Sequence, residues 1–253
     1  KDGTTRFCVD YRKLNAFTVK DVYPLPRIDA TLDRLGGAKY FTTLDLTSGF
    51  WQVEMDPNSA AKTAFTTPLG LYEFQVMPFG LTNAPATFQR LMDNVLGHLG
   101  VEYVLVYLDD VLIFSKTLEE HVKHVKIVLE CIRDANLCIK LKKCYFAQAK
   151  TAYLGHVISG EGIEPDPAKL LAVKELAYPK NVKEVRGFLG FVGFYRRFVQ
   201  DFGSIARPLH DLTCKKHVWA WTPACTEAFH RLRDALLANP VLVAPDFTKE
   251  FTI

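Results

Sequence analysis

Apolar and polar positions change their period along the chain, and the change predicts the order of the elements. The run Tyr40–Leu44 combines β-branched and aromatic residues and predicts a strand, as does the shorter run Phe7–Val9. Between residues 88 and 99 the apolar positions recur three and four apart, which predicts an amphipathic helix. Its predicted core face is Phe88, Leu91, Met92, Val95, Leu96 and Leu99.

A second helix is predicted to begin at Thr117, whose hydroxyl can cap the helix while Glu120 reaches back. We expect His121 and His124, three residues apart on this helix, to be exposed. Its predicted buried residues are Val122, Val125, Val128, Leu129 and Ile132. Alternation of strand and helix signals predicts a mixed α/β layer up to about residue 160.

The segment Gly160–Pro167 is polar and turn-forming, and it is the best internal boundary that the sequence offers. After it the pattern is helical. Asn181 with Glu184 predicts a capped helix start, and Thr222-Pro223 predicts another, because proline is tolerated in the first helical turn.

Composition restricts the class of protein. The 253 residues are 49% hydrophobic and 23% charged, which excludes disordered and coiled-coil chains, and the formal charge of +3 is too small to indicate a nucleic-acid partner by itself. No apolar run approaches the roughly 20 residues of a membrane span. Six cysteines without a C-x-x-C pair favour reduced, intracellular thiols. The start at Lys1 and the strand-like end at Ile253 lead us to expect a piece of a longer polypeptide.

The most informative segment is 101–114, where two β-prone runs flank Asp109 and Asp110. This pattern predicts a hairpin with both acids at its tip. Two ionised carboxylates beside apolar strands repel each other and lose solvation unless a cation joins them. Oxygen ligands of this kind suit Mg²⁺ or Mn²⁺.

The alternative is a solvated Asp-Asp turn, which is the commoner meaning of an isolated pair. Asp45 favours the functional interpretation, because it follows the Tyr40–Leu44 run and precedes the turn Thr47-Ser48-Gly49. Backbone N–H groups of such a turn can hold phosphate oxygens. Three acids at strand ends beside a phosphate-binding turn predict two-metal phosphoryl chemistry.

These residues resemble the reverse transcriptases, whose YxDD signature is matched by Tyr107-Leu108-Asp109-Asp110, and gypsy-type LTR retrotransposon polymerases in particular. Further blocks follow the order of that family and together cover essentially the whole chain. They are FCVDYRKLN (7–15), TTLDLTSGFWQV (42–53), MPFGLTNAPATFQ (77–89), YLDDVLIFS (107–115), YLGHVIS (153–159) and FLGFVGFYRRF (188–198).

The resemblance implies an α/β (α+β) right-hand polymerase fold. It implies fingers and palm for residues 1–160, truncated at the N-terminus, a thumb-like helical region for 161–218, and the lead-in to a ribonuclease H-like domain for 219–253. On this alignment the family's first fingers segment precedes Lys1, and the ribonuclease H active site lies beyond Ile253.

The resemblance also implies roles for single residues. Asp45, Asp109 and Asp110 match the catalytic, metal-binding aspartates, and the backbone of Leu46 would complete one metal shell. The implied nucleotide-binding residues are Arg6, Ser48, Gly49, Phe50 and Phe79, with Phe50 at the sugar-sensing position. Leu154 and Gly155 match the primer-grip turn.

The implied activity is RNA-directed DNA polymerisation, with two Mg²⁺ ions, or Mn²⁺ as a substitute, as cofactors. The implied partners are an RNA or DNA template with its primer, dNTPs, and the protease, ribonuclease H and integrase of a Pol polyprotein. An intracellular location is expected, in a cytoplasmic virus-like particle or in the nucleus, and no membrane partner. The alternative is an inactive or domesticated retroelement remnant that acts as a nucleic-acid-binding module.

Overall fold

The computed structural model describes residues 7–100, 102–214, 219–238 and 240–243. The chain divides into two compact units, Lys1–Thr151 and Ala152–Ile253. Packing units and polymerase subdomains are different divisions, so the predicted ranges 1–160, 161–218 and 219–253 stay a prediction. Within the described residues no helix is both long and apolar enough to span a bilayer.

The first unit combines a four-stranded sheet with helices that pack on it. Its helices are α1 (Arg12–Phe17), α2 (Ile28–Leu32), α3 (Pro57–Ala60), α4 (Ala84–Leu96) and α5 (Leu118–Asp134). Its strands are β1 (Tyr40–Asp45), β2 (Phe65–Thr67), β3 (Gly70–Tyr72), β4 (Val104–Tyr107), β5 (Asp110–Ser115) and β6 (Tyr145–Gln148). A short 3-10 helix, Gly49–Gln52, follows β1, and another, Leu141–Lys143, precedes β6.

The main sheet has the strand order β4-β5-β1-β6, and β1 lies antiparallel to both of its neighbours. The register of β1 and β5 runs from Tyr40 opposite Ser115 to Asp45 opposite Asp110. The strand predicted at Tyr40–Leu44 is therefore confirmed. The sheet ends with acids from two neighbouring strands side by side.

The hydrophobic core lies between this sheet and the helices α4 and α5. The predicted face of α4 is confirmed, with Phe88, Met92 and Leu96 fully buried and Leu91, Val95 and Leu99 packed at the margin. Burying each of the three large side chains stabilises the fold by about 1.5–3 kcal/mol. The sheet contributes Leu44, Leu46, Val104, Val111 and Ile113 to the same core.

Helix α5 begins as predicted, with the Thr117 hydroxyl accepting from the Glu120 N–H and the Glu120 carboxylate accepting from the Thr117 N–H. The predicted face was wrong at its N-terminal end, where Val122 is 62% exposed and His121 is 1% exposed. The reason is polar pairing: the His121 imidazole contacts the Thr42 and Ser115 hydroxyls inside the sheet. That pairing turns Val122 to solvent.

The strand predicted at Phe7–Val9 was also wrong, because this segment is irregular and Phe7 is 55% exposed. Phe7 packs instead against the Phe65 ring, with centroids 5.2 Å apart. A short β-prone run becomes a strand only where a partner strand accepts its backbone hydrogen bonds.

The second unit carries a three-stranded sheet, β7-β8-β9, followed by helices. Strand β7 (Lys150–Tyr153) crosses into it from the first unit, and β8 (His156–Ser159) and β9 (Gly162–Pro165) form a hairpin around Gly160 and Glu161. The helices are α6 (Pro167–Lys174), α7 (Val182–Phe194), α8 (Phe202–Asp211) and α9 (Pro223–Leu237). Asn181 caps α7 and Pro223 opens α9, which confirms both predicted starts.

Candidate active site

The three predicted aspartates lie at one end of the main sheet. Asp45 is the last residue of β1 and pairs in register with Asp110, the first residue of β5. Asp109 precedes Asp110 in the turn between β4 and β5. The hairpin tip predicted from the Asp109-Asp110 pair is confirmed. Its two acids are exposed to solvent, while Asp45 is half-buried.

The hairpin turn is tight and strained. Tyr107 pairs with Asp110, so only Leu108 and Asp109 form the loop, and Leu108 has the left-handed φ of 54° that a side chain disfavours. The fully buried Gln89 of α4 holds this backbone. Its Oε1 accepts from the Leu108 N–H at 2.8 Å, and its Nε2 donates to the Val106 carbonyl at 3.4 Å.

A second left-handed turn follows Asp45. Ser48 has φ 49° and ψ 52°, and the 3-10 helix Gly49–Gln52 begins directly after it. A Cβ built on Gly49 would lie 2.8 Å from the Phe88 Cζ and 3.3 Å from the Asp109 Cβ. The turn therefore lies against Asp109, and packing alone already requires glycine at position 49.

The backbone segment that leads into the 3-10 helix Leu141–Lys143 lies beside this turn. Thr47 donates its N–H to the Cys138 carbonyl at 2.9 Å, and Lys140 donates its N–H to the Asp45 carbonyl at 2.8 Å. Leu46 forms a β-bridge with Ile139. The lysine run at residues 140–143 thus lies at the acids, and the Lys143 Nζ is 3.3 Å from the Asp45 Oδ2.

Electrostatics at the acids favour cation binding. Although Asp110 as a residue is exposed, its carboxyl is partly desolvated by the groups around it, which raises its pKa to about 6, and repulsion by Asp109 and Asp45 adds to the rise while Lys143 opposes it. A carboxyl with this pKa is ionised only in part near pH 6. A cation between the acids would favour its ionised form.

The donor set fits a hard divalent cation, since it consists of carboxylate oxygens and the Leu46 carbonyl. Among the described residues, no three His, Cys, Asp or Glu side chains lie close enough together to hold a metal ion. Lys143 lies at Asp45 and supplies positive charge there. The ligand set Asp45, Leu46, Asp109 and Asp110 remains a prediction.

The predicted nucleotide-binding aromatics form one cluster next to the second turn. The Phe50 ring lies 5.4 Å from the Phe79 ring and 5.5 Å from the Phe88 ring, and Trp51 lies 5.6 Å from Phe79. Phe50 and Phe79 are each partly exposed, so one face of the pair is open to a ligand. Arg6, the remaining predicted nucleotide-binding residue, lies outside the described residues.

The predicted primer-grip residues lie in the second unit, in the turn between β7 and β8. Leu154 and Gly155 both have left-handed φ angles, of 46° and 76°. The buried Tyr195 hydroxyl donates to the Gly155 carbonyl at 2.7 Å, and burial raises the pKa of that phenol to about 12. The turn is rigidly held, and its role stays a prediction.

Sequence reasoning missed Gln89, Gln52 and Lys143 as supports of the site. A polar residue at an otherwise apolar helix position is a usable signal, because buried amides require partners. Gln89 gives that signal, since it follows Phe88 within the apolar stripe. The contacts of Gln52 and Lys143 join segments 86 and 98 residues apart, so no local pattern reports them.

Comparison with known proteins agrees with this geometry. The chain is 44% identical over 249 residues to the "Retrovirus-related Pol polyprotein from transposon 297" of Drosophila melanogaster, covering 98% of this chain and 24% of the relative. It is 39% identical over 253 residues to the "Transposon Tf2-3 polyprotein" of Schizosaccharomyces pombe, covering 100% of this chain and 19% of the relative. The chain therefore spans about a fifth to a quarter of the length of these curated relatives.

Solved structures show the same fold. The foamy viral protease-reverse transcriptase dRH in complex with double-stranded DNA matches with a TM-score of 0.88 at 28% identity, over 97% of this chain and 43% of that one. The foamy viral protease-reverse transcriptase in complex with an RNA/DNA hybrid matches with a TM-score of 0.80 at 27% identity, over 92% and 32%. The expected polymerase fold is confirmed. The reverse transcriptase (RNA-dependent DNA polymerase) family matches residues 1–158, which is more than half of this chain. The chain therefore belongs to the reverse transcriptase family.

Proposed function

We propose that this chain is the polymerase part of a retrotransposon Pol polyprotein and adds deoxynucleotides to a primer 3′-hydroxyl on an RNA or DNA template. The observation that carries the proposal is the register pair of Asp45 and Asp110 with Asp109 beside it. Its support is the family match and the polyprotein relatives.

The chain's own residues would bind and orient the reactants. The turn at Ser48 and Gly49 lies beside Asp109, where backbone N–H groups can donate to the oxygens of a triphosphate. The Phe50 and Phe79 rings offer an apolar face to the sugar and base. Lys143 neutralises part of the acidic charge that would otherwise repel a polyanion.

Reverse transcriptases generally use divalent metals, and here we propose two Mg²⁺ ions, with Mn²⁺ as a substitute, held by Asp45, the Leu46 carbonyl, Asp109 and Asp110. Divalent ions at such carboxylates activate a hydroxyl for attack and offset charge on the leaving pyrophosphate. The raised pKa of Asp110 supports this assignment. It shows that neither solvent nor Lys143 fully offsets the negative charge of the folded site.

The proposed partners follow from the relatives. Foamy viral enzymes have been solved with double-stranded DNA and with an RNA/DNA hybrid, and we infer a template–primer duplex as the ligand here. The relatives are polyproteins, which supports a longer continuous chain, and we propose protease, ribonuclease H and integrase as its other parts. A cytoplasmic virus-like particle is the location we propose, on family grounds alone.

Primer extension tests the function. The protein that contains this chain would be assayed on an RNA template with a DNA primer, as wild type and as Asp109→Asn, with Asp134→Asn as a matched exposed control from the end of α5. Extension by the wild type and the control, and none by Asp109→Asn, is the expected result. Template binding without extension by the wild type would instead support the inactive or domesticated remnant.

A further inference from the structure

Gln52 makes a set of contacts that no expected family role accounts for. Its Nε2 donates to the Thr47 carbonyl at 2.7 Å and to the Cys138 carbonyl at 3.0 Å, and its Oε1 accepts from the Cys138 N–H at 2.6 Å. All three partners are backbone groups. They fix the orientation of the amide, since carbonyls require its N–H groups and the N–H requires its oxygen.

These contacts join two segments that both reach Asp45. The Thr47 carbonyl belongs to the turn that continues to Ser48 and Gly49, and Gln52 ends the 3-10 helix that follows this turn. Cys138 belongs to the segment that pairs with Leu46 and leads to Lys143. With Cys138 the Gln52 amide makes the two hydrogen bonds that a neighbouring strand residue would make.

The bond to Thr47 closes the turn on itself. Ser48 at the centre of the turn has a left-handed φ, a conformation that a side chain disfavours by roughly 1–2 kcal/mol and that needs support from its surroundings. Gly49 packs against Phe88, whereas Ser48 is exposed. Backbone bonds from the Thr47 N–H to the Cys138 carbonyl and from the Trp51 N–H to the Ser48 carbonyl hold the turn in part, and the amide of Gln52 adds a side-chain constraint across it.

We propose that Gln52 is a positioning residue for the incoming nucleotide, which fixes the Thr47–Gly49 turn against the 138–143 segment. This inference rests on the proposed function, in which backbone N–H groups of the turn bind the triphosphate. Loss of the clamp should therefore raise the KM for dNTP while the acids, and hence kcat, change little. Binding of the template–primer duplex should not change.

The test uses Gln52→Met, which keeps the length of the side chain and removes its hydrogen bonds, and Gln52→Asn, which keeps the amide and shortens its reach. Gln148→Met is the matched control, because Gln148 is exposed and bonds only to the nearby Phe146 carbonyl among the described contacts. Cys138→Ala is a second control, since Gln52 contacts only the backbone of that residue.

Hydrogen–deuterium exchange of the metal-free protein tests the clamp without any need for activity. Both Gln52 variants should exchange faster at residues 46–52 and 137–143 than wild type, and neither control should. Unchanged exchange at both segments would overturn the clamp. A wild type without polymerase activity would refute the proposed function, and this exchange result would still decide whether the clamp exists.

Steady-state kinetics test the positioning role. For Gln52→Met we expect the KM for dNTP to rise on the order of tenfold, as for the loss of one to two hydrogen bonds, with kcat within about threefold of wild type. A KM equal to that of Gln148→Met would overturn the proposal. So would an equal fall in kcat and template affinity, or loss of cooperative unfolding in both Gln52 variants, because each would indicate a merely structural residue.

Discussion

Two left-handed turns form the candidate active site, and a glutamine side chain holds each of them in a different environment. Gln89 holds the Leu108–Asp109 turn from inside the core, where it is fully buried. Gln52 holds the Thr47–Gly49 turn from the surface, where water reaches it. Burial makes the first amide a determinant of stability, because the half-buried Leu108 N–H would lose a hydrogen-bond partner without it. Because water reaches the second amide and can replace its hydrogen bonds, we expect it to determine the position of its turn more than the stability of the fold.

The largest expected effect is on primer extension, and it tests whether both turns are needed for the reaction. Asp45 precedes one turn and Asp109 lies in the other, so Asp45→Asn and Asp109→Asn should each reduce primer extension at least about a thousandfold, the equivalent of several kcal/mol of charge stabilisation. The fold should persist, because removing a charge relieves repulsion on Asp110. Single-turnover extension measures the effect, and near-normal activity in either variant would separate that turn from the chemistry.

A second prediction concerns Phe50, which follows the surface turn and packs on Phe88 beside Gln89. Its ring leaves no space and no hydrogen-bond partner for a 2′-hydroxyl, so Phe50→Val should improve the use of ribonucleotides relative to deoxynucleotides by roughly 10- to 100-fold. The ratio of kcat/KM for a matched nucleotide pair checks this. If Phe50 is only a core residue, both substrates suffer equally and the ratio stays constant.

The two glutamines themselves give the third prediction. Gln89→Met should lower the free energy of unfolding by about 1–3 kcal/mol, because the half-buried Leu108 N–H loses its partner inside the turn. Gln52→Met should cost less than about 1 kcal/mol, since water replaces the lost bonds. Urea unfolding of both variants, with Gln148→Met as reference, measures the difference. Equal costs would contradict the contrast between buried and exposed support.

The smallest effect comes from a third polar support, which is titratable. His121 is buried between the Thr42 and Ser115 hydroxyls, and burial together with the neighbouring His124 lowers the pKa of its imidazole. The unfolded state therefore binds more protons near pH 6.5, so stability is present above that pH and decreases as the pH falls through it. The loss stops below the folded-state pKa.

His121→Gln removes this titration and keeps an amide that can contact Thr42. Its free energy of unfolding should depend less on pH between about 5 and 7 than that of wild type. Part of the dependence should remain, because burial also lowers the pKa of His124. Identical pH slopes for variant and wild type, measured by urea unfolding, would show that His121 does not cause the dependence.

The sequence alone determined the elements and the acids. Period-3.6 apolar spacing placed α4, the Thr117 cap placed the start of α5, and two β-prone runs around Asp109 and Asp110 placed the hairpin tip. The β-prone run before Asp45 and the turn after it added the third acid, and the family blocks added the polymerase fold. Such features are local or depend on residue type, so a linear pattern contains them.

Only the tertiary structure decided what supports these acids. His121 was expected at the surface and is buried, because Thr42 and Ser115, on two strands, come together around it. Gln52 reaches Cys138 across 86 residues, and Lys143 reaches Asp45 across 98. Hydrogen bonds of this kind depend on where distant segments meet in space, and residue type in one segment does not specify its partner in another. The sequence therefore determines which acids are the candidates for the chemistry, and the packing of distant segments determines which groups hold them in place.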